Sequence, residues 1–348
     1  MRAKNILFFA FTAAIVFMSC AKSPDASGEV TPGGETNPPK EEEQWTEGYP
    51  KGVRVEEFSD DLDGGKKCLG IVATIDFKAN PSLKFTSTYT VPKKTPSTIY
   101  KEYGNKKDKA CIVVNGGYFA GTTSVSLCIS DGIFKAAGFR SMNWPNDEKY
   151  EQTVYPVRSA LGQMEDGSFE IRWIYRPDEK SRNFYAYPSA LGNDEKSKTF
   201  LKEAPTADMD GAVLWTPVNA IGGGPRLVEK GKNVAVENYW KEVLDSGGTA
   251  GTSRQPRTAA GITADGCLIL IVCDGRGMRG SSGFTLSELA DKFIALGAVD
   301  AMNFDGGGSS AMVGKDGAVL NRPSDTGTSE TIVERKVVTS IVISERTE

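Results

Sequence analysis

Apolar residues recur along this chain with two periods, and each predicts a different element. Cys267 to Cys273 (CLILIVC) is an unbroken run rich in Leu, Ile and Val, the pattern of a strand covered on both faces. From Thr285 to Ala298 the stripe Leu286, Leu289, Ala290, Phe293, Leu296 opens on a Thr285/Glu288 capping box and stops at Gly297, which predicts a helix. Val299 to Phe304 then predicts a second strand. Strand, crossover helix and strand make a βαβ unit whose two loops leave the same carboxyl edge of a parallel pair. Elsewhere the period is two. Phe169, Ile171, Trp173 and Tyr175 alternate with Glu170 and Arg172, and Asp-Gly turns at 131, 166, 265 and 316 punctuate the chain, as in hairpins. The expected fold class is α+β: mostly antiparallel sheet with an internal pseudo-repeat and a local C-terminal βαβ unit, over about residues 52 to 346.

The pseudo-repeat is read from spacing. Arg158-Ser159-Ala160-Leu161-Gly162 leads to Asp166-Gly167 and a strand; Arg257-Thr258-Ala259-Ala260-Gly261, ninety-nine residues on, leads to Asp265-Gly266 and a strand. Upstream, Asn115-Gly116-Gly117 precedes Asp131-Gly132, and Asn219 with Gly222-Gly223-Gly224 precedes Lys230-Gly231. Two similar halves, with a ligand site at their junction, account for the pattern.

The loops after the βαβ strands carry the candidate chemistry: Asp274-Gly275-Arg276 and Asn303-Phe304-Asp305-Gly306-Gly307-Gly308-Ser309-Ser310. Strands about 4.8 Å apart would bring the Asp274 and Asp305 carboxylates to roughly 5 to 10 Å, the range in which paired carboxylates cleave glycosidic bonds. The chain has no histidine. Ser-His-Asp and Cys-His catalysis and His-metal sites are thereby ruled out, so acid–base work falls to Asp, Glu, Lys, Tyr or Cys. Neither metal nor cofactor is called for.

The N-terminal segment predicts a domain exported from the cytoplasm. Residues 1–20 carry Arg2 and Lys4, an apolar run from Ile6 to Met18, and Ser19-Cys20. That is a secretory signal too short to span a membrane, ending like a bacterial lipobox, so Cys20 is the expected lipid attachment; the plainer alternative is an ordinary signal peptide. Residues 21–51 are rich in Pro, Gly, Ser, Thr and Glu, a tether that holds the domain on the order of 30 Å from the membrane. A net charge of −4 without a basic stripe argues against nucleic acid. With Cys20 lipidated, an odd number of cysteines remains, and Cys267 and Cys273, six apart on one strand, are too distant to bridge.

Several residues are candidate ligand contacts. Asn115 and Gly117, Asn219 and Gly223, and Asn303 with Gly307, Gly308 and Ser309 combine amide side chains with glycines that let backbone N–H groups approach an anion or a hydroxyl-rich ligand. Arg257, Arg276 and the repeat equivalent Arg158 suit phosphate; each position is equally the kind of residue found in a tight turn or a structural ion pair. Gly275 to Gly280 spells GxGxxG, but Asp274 before the first glycine disfavours a pyrophosphate. Trp144, Trp215, Tyr239 and Trp240 are left to the core.

Taken in order, NGGYF (115–119), GGGPRLV (222–228), RQPRTAAGI (254–262), DGR (274–276), GFTLSELA (283–290), NFDGGGSSAM (303–312) and ERKV (334–337) resemble the phosphodiester glycosidase domain, over about residues 110–346. Residues 52–109 form a strand-rich segment without a matching motif. The resemblance implies hydrolysis of a sugar-1-phosphodiester to sugar and phosphomonoester on envelope or extracellular glycans. Asp305 would be nucleophile or base with Asp274 as its partner, the arginines would capture phosphate, and Glu334 is a further acidic candidate. The partner would be a phosphorylated or phosphodiester-linked carbohydrate. The competing readings are a glycan-binding surface lipoprotein without turnover and a metal-dependent phosphodiesterase using both aspartates.

Overall fold

A computed structural model describes residues 45–144, 152–244, 251–328 and 330–347. The expected signal, Cys20 and most of the tether lie outside the described residues. The last tether residues, 45–51, are built into the domain: the Thr46 hydroxyl donates to Val55 O at 3.0 Å, and the Tyr49 hydroxyl accepts from Lys315 N at 3.0 Å.

Three antiparallel sheets carry the fold, and the same four-strand order appears in each, in the third with the chain order circularly permuted. In the first, the strands run Arg226–Glu229, Ala298–Asn303, Arg257–Thr263, Leu268–Cys273, extended by the hairpin Val53–Leu62/Lys66–Ile75. In the second they run Leu127–Ser130, Asn219–Gly222, Arg158–Gln163, Phe169–Tyr175, and in the third Met312–Val313, Asp108–Asn115, Val337–Arg346, Leu83–Lys94. Residues 52–109 therefore supply strands to two of these sheets.

The repeat is thus threefold where the sequence pattern predicts two halves. Its third copy draws its inner strands from distant parts of the chain and lacks the Arg-Ser/Thr-Ala segment, so spacing does not reveal it. The two hairpins that spacing did align are equivalent: Arg158 pairs with Ile174 and Arg257 with Cys273. The Asn115/Asn219 alignment is not. Asn115 ends its strand, whereas Asn219 begins one.

The predicted helix is present as Leu286–Ala295, with both hydrogen bonds of the Thr285/Glu288 capping box formed. Its flanking strands Leu268–Cys273 and Ala298–Asn303 are parallel to one another but not adjacent. Arg257–Thr263 lies between them, antiparallel to both, because the Asp265-Gly266 turn folds the preceding strand directly onto Leu268–Cys273. The helix Pro96–Tyr103 occupies the matching place in the third sheet.

One core fills the space between the inner faces: Phe85, Val114 and Ile341 from the third sheet, Leu161, Ile171 and Ile221 from the second, Ala260, Leu270 and Met302 from the first. A second cluster, including Phe293 and Leu289, seats the Leu286–Ala295 helix on the outer face of its sheet.

Candidate active site

The site lies where three strand ends converge. Gly116 N donates to Thr339 O at 2.8 Å, Gly223 N to Ser159 O at 3.0 Å and Phe304 N to Thr258 O at 2.8 Å, one equivalent bond per sheet. The ends are also bonded to each other, Asp305 N to Gly116 O at 3.1 Å and Gly224 N to Asn303 O at 2.8 Å. Backbones this close leave no room for side chains. A Cβ at Gly117 would fall on Gly222 O and the Ser126 side chain, and one at Gly223 on Asn303 O and the Phe304 ring. These two glycines let the strand ends pack backbone against backbone at the floor.

Above this floor opens a cavity of about 600 Å³. Among the described residues, Asp305 is the one acidic side chain on its wall, where Arg158, Arg257, Arg276 and Arg335 are also exposed to the cavity together with Asn303 and Gly306 to Gly308. Burial pushes the Asp305 carboxyl up to about 6, although the Ser309 hydroxyl and the Arg335 guanidinium both favour its ionised form. A carboxylate of that basicity, ionised at neutral pH, is suited to proton abstraction or to attack on carbon.

Asp305 is held from behind. Asn115 is fully buried; its Nδ2 donates to Asp305 O at 2.7 Å, and its Oδ1 accepts from Thr258 Oγ1 at 2.7 Å and Ala311 N at 3.1 Å. Asn303 Nδ2 donates to the Tyr118 hydroxyl at 3.0 Å, and that hydroxyl donates to Gly224 O at 2.8 Å. Burial and the nearby Asp305 charge push the Tyr118 phenol up to about 12, so it stays protonated.

The arginines are of two kinds. Arg158 donates to Glu242 O at 3.1 Å and Val243 O at 2.5 Å, and Arg257 to Phe284 O at 3.0 Å and Ser253 O at 2.8 Å. Burial lowers both guanidinium pKa values, but from so high a start that the charge remains. Arg276 is exposed and its Nε donates to Gln255 Oε1 at 3.0 Å. Its Nη2 lies against Gly307, and the Nη2 of Arg335 lies against Gly308. Arg335 also pairs with Asp325 and donates from Nη1 to Ser309 Oγ at 3.4 Å.

Three expected site residues are elsewhere. Asp274 has no exposed surface and is absent from the cavity wall. Its carboxylate accepts from Arg279 Nε at 2.7 Å and Arg322 N at 2.6 Å, while burial, the largest influence, raises its pKa. The carboxylate pair expected from adjacent parallel strands therefore does not form: the intervening strand separates the two loops and Asp274 is consumed as an internal ion-pair partner. Asn219 caps a turn, its Oδ1 accepting from Asp131 N at 2.9 Å. Glu334 binds the first turn of the Pro96–Tyr103 helix, accepting from Ser97 N at 3.0 Å and from the Ser97 hydroxyl.

Wall and support residues outside the expected set include Tyr118, Phe139, Met142, Tyr239, Arg335 and Glu242. Tyr118 and Arg335 stand inside the NGGYF and ERKV segments, and Tyr239, expected in the core, also reaches the wall. Glu242 has no sequence signal. It is fully buried and accepts from Ser159 N, Ser159 Oγ, Trp173 Nε1 and Arg226 N at 2.6 to 2.9 Å, tying the Arg158 strand to the segment after Gly224.

Comparison with known proteins agrees with this architecture. Residues 108–344 match the family model described as phosphodiester glycosidase, well over half of the chain. The catalytic domain of zebrafish N-acetylglucosamine-1-phosphodiester alpha-N-acetylglucosaminidase, auto-inhibited by its pro-peptide, has the same fold. It superposes with a TM-score of 0.54 at 18% identity over 86% of each chain. A hypothetical protein from Synechocystis gives 0.53 at 18% identity over 85% of this chain and 62% of its own. In Bacillus subtilis (strain 168), the SPbeta prophage-derived uncharacterized protein YomE is 38% identical over 91 residues, 26% of this chain. The chain spans only 13% of that relative's length.

Proposed function

Given that the chain belongs to the phosphodiester glycosidase family, we propose that it hydrolyses a sugar-1-phosphodiester at the glycosidic C–O bond, releasing sugar and a phosphomonoester. The observation that carries the reading is that, among the described residues, Asp305 is the one carboxylate on the wall of a cavity that presents four arginines.

The chemistry needs no more than this. A phosphomonoester is a good leaving group, with a second pKa near 6, so it departs without a proton donor. That makes a second carboxylate unnecessary and fits the position of Asp274 outside the cavity. Arg276 and Arg335, with the Gly306 to Gly308 backbone, take the phosphate and offset the charge that grows on its bridging oxygen. Ionised Asp305 acts either as nucleophile, displacing the phosphate and forming a glycosyl ester that water then hydrolyses with the water proton passing to the released phosphate or solvent, or as base, taking a proton from the water that attacks the anomeric carbon. Retained configuration in the product marks the first route and inversion the second. Asn303 and Tyr118 line the floor beneath the sugar. A metal-bridged attack at phosphorus loses its support, since the two aspartates it required do not share a cavity.

Incubation with sugar-1-phosphodiesters in oxygen-18 water tests the assignment. Label in the sugar is expected; label in the phosphate places scission at P–O and rejects it. Intact substrate after prolonged incubation with tight binding would leave a glycan-binding protein instead. Export and anchoring through lipidated Cys20 belong to the same proposal and rest on the signal-like residues 1–20. Loss of membrane association and of lipid label in Cys20→Ser is the expected result. The substrates would then be glycans of the cell envelope or outside it.

A further inference from the structure

The two ends of the cavity differ in chemistry. One end is cationic, with Arg276 and Arg335 against the Gly307-Gly308 backbone. At the other, Arg158 shares the wall with Phe139, Met142 and Leu244, and its Nη2 lies 3.6 Å from Met142 Sδ. Phe139 and Arg158 also border a separate, smaller recess of about 40 Å³.

Phe139 is 46% exposed, yet the backbone around it is fixed. Gly138 has φ +74°, and a Cβ there would press on Val125 O and Leu127 N. Arg140 O accepts from the Tyr175 hydroxyl at 2.8 Å, and the Arg140 guanidinium donates to Arg176 O at 3.0 Å and Pro177 O at 2.6 Å. A single exposed apolar side chain is ordinary on a protein surface, but one on a cavity wall, carried by a clamped segment, offers rigid aromatic contact area at little entropic cost.

We infer that Phe139 is the platform on which the substrate's sugar ring stacks. The inference rests on the reading above. With phosphate at Arg276 and Arg335 and the scissile bond over Asp305, the sugar extends toward the Arg158 end. There the C–H face of the ring meets Phe139 and the hydroxyl edges face Arg158. Phe139 thereby selects for a ring with a continuous apolar face, and contributes to binding rather than to the reacting bond.

Calorimetry on the full chain tests this with a panel of hexose 1-phosphates, inorganic phosphate serving as the probe of the cationic end alone. The tightest hexose 1-phosphate is expected to lose about tenfold in affinity in Phe139→Ala while inorganic phosphate changes by less than about twofold, and Phe139→Tyr is expected to restore binding. Turnover should show the same split, a raised KM with kcat nearly unchanged. Equal losses for both ligands, no loss for either, or a wild type that binds no hexose 1-phosphate more tightly than inorganic phosphate would each overturn the platform. Failure of the functional reading is distinct: it appears as wild-type protein that binds no inorganic phosphate and turns over no phosphodiester.

Discussion

Replacing Asp305 with Asn should cut turnover by orders of magnitude and, at the same time, stabilise the fold above pH 6. The reason is the cost of keeping a charge at the cavity floor. The Asp305 carboxyl titrates at about 6 in the folded protein against an ordinary 3.8, so between those values the native state holds a proton that the unfolded chain releases. Stability therefore falls as pH rises from about 3.8 to about 6, and the loss is complete above the upper value. At about 1.4 kcal/mol per unit, the full penalty is at most roughly 3 kcal/mol. Asn is neutral throughout and escapes it. Denaturant titrations of wild type and Asp305→Asn at half-unit steps from pH 4 to 8 should show two curves that nearly coincide in acid. They should separate through the window, the variant ending up to about 3 kcal/mol more stable. The same variant should lose about 10²- to 10⁴-fold in kcat. Curves that stay parallel at every pH, or a variant that is the less stable at pH 8, would show that the Asp305 charge is not held against a burial cost, and the basicity argument for its role would fall with them.

Three further outcomes follow from the same geometry. The kcat/KM of the wild type should rise with pH to a plateau, with a midpoint near 6 set by Asp305 in the free enzyme; a profile flat from pH 5 to 8 would contradict the need for its ionised form. Asp274→Ala should destabilise the fold by about 1 to 3 kcal/mol in denaturant titration, because Arg279 Nε and Arg322 N lose their buried acceptor. The folded fraction should keep a kcat/KM close to wild type, measured after active-site titration. Arg276→Ala and Arg335→Ala should each weaken inorganic phosphate binding by roughly tenfold or more, as expected for lost charge-assisted hydrogen bonds, with calorimetry as the readout.

What could be read in advance divides along physical lines. The capped helix Leu286–Ala295 and the strand Leu268–Cys273 were legible because their signals are local: a capping box, a 3.6-residue stripe, an apolar run. The Arg158 and Arg257 hairpins were legible because repetition preserves spacing. Pairing partners carry no such local mark. Nothing near residue 257 announces that its strand enters between two others, and that insertion alone separates Asp274 from Asp305. The acids themselves look alike in sequence, each following a strand and preceding glycine. Arg279 and the Arg322 backbone, five and forty-eight residues away, make one of them internal. Asn219 was misjudged for a related reason, since an Asn that starts a strand and one that ends it read the same. Glu242 is a long-range case: its four donors come from three separate segments.

The third sheet has a consequence for how the molecule comes into being. Its central strand, Val337–Arg346, pairs on one side with Leu83–Lys94 and on the other with Asp108–Asn115. A nascent chain must therefore leave those two partners without their ladder until about 220 more residues have been made. Maturation is expected to be a late, all-at-once event. Truncation just before Val337 should yield protease-sensitive material with no measurable phosphate affinity.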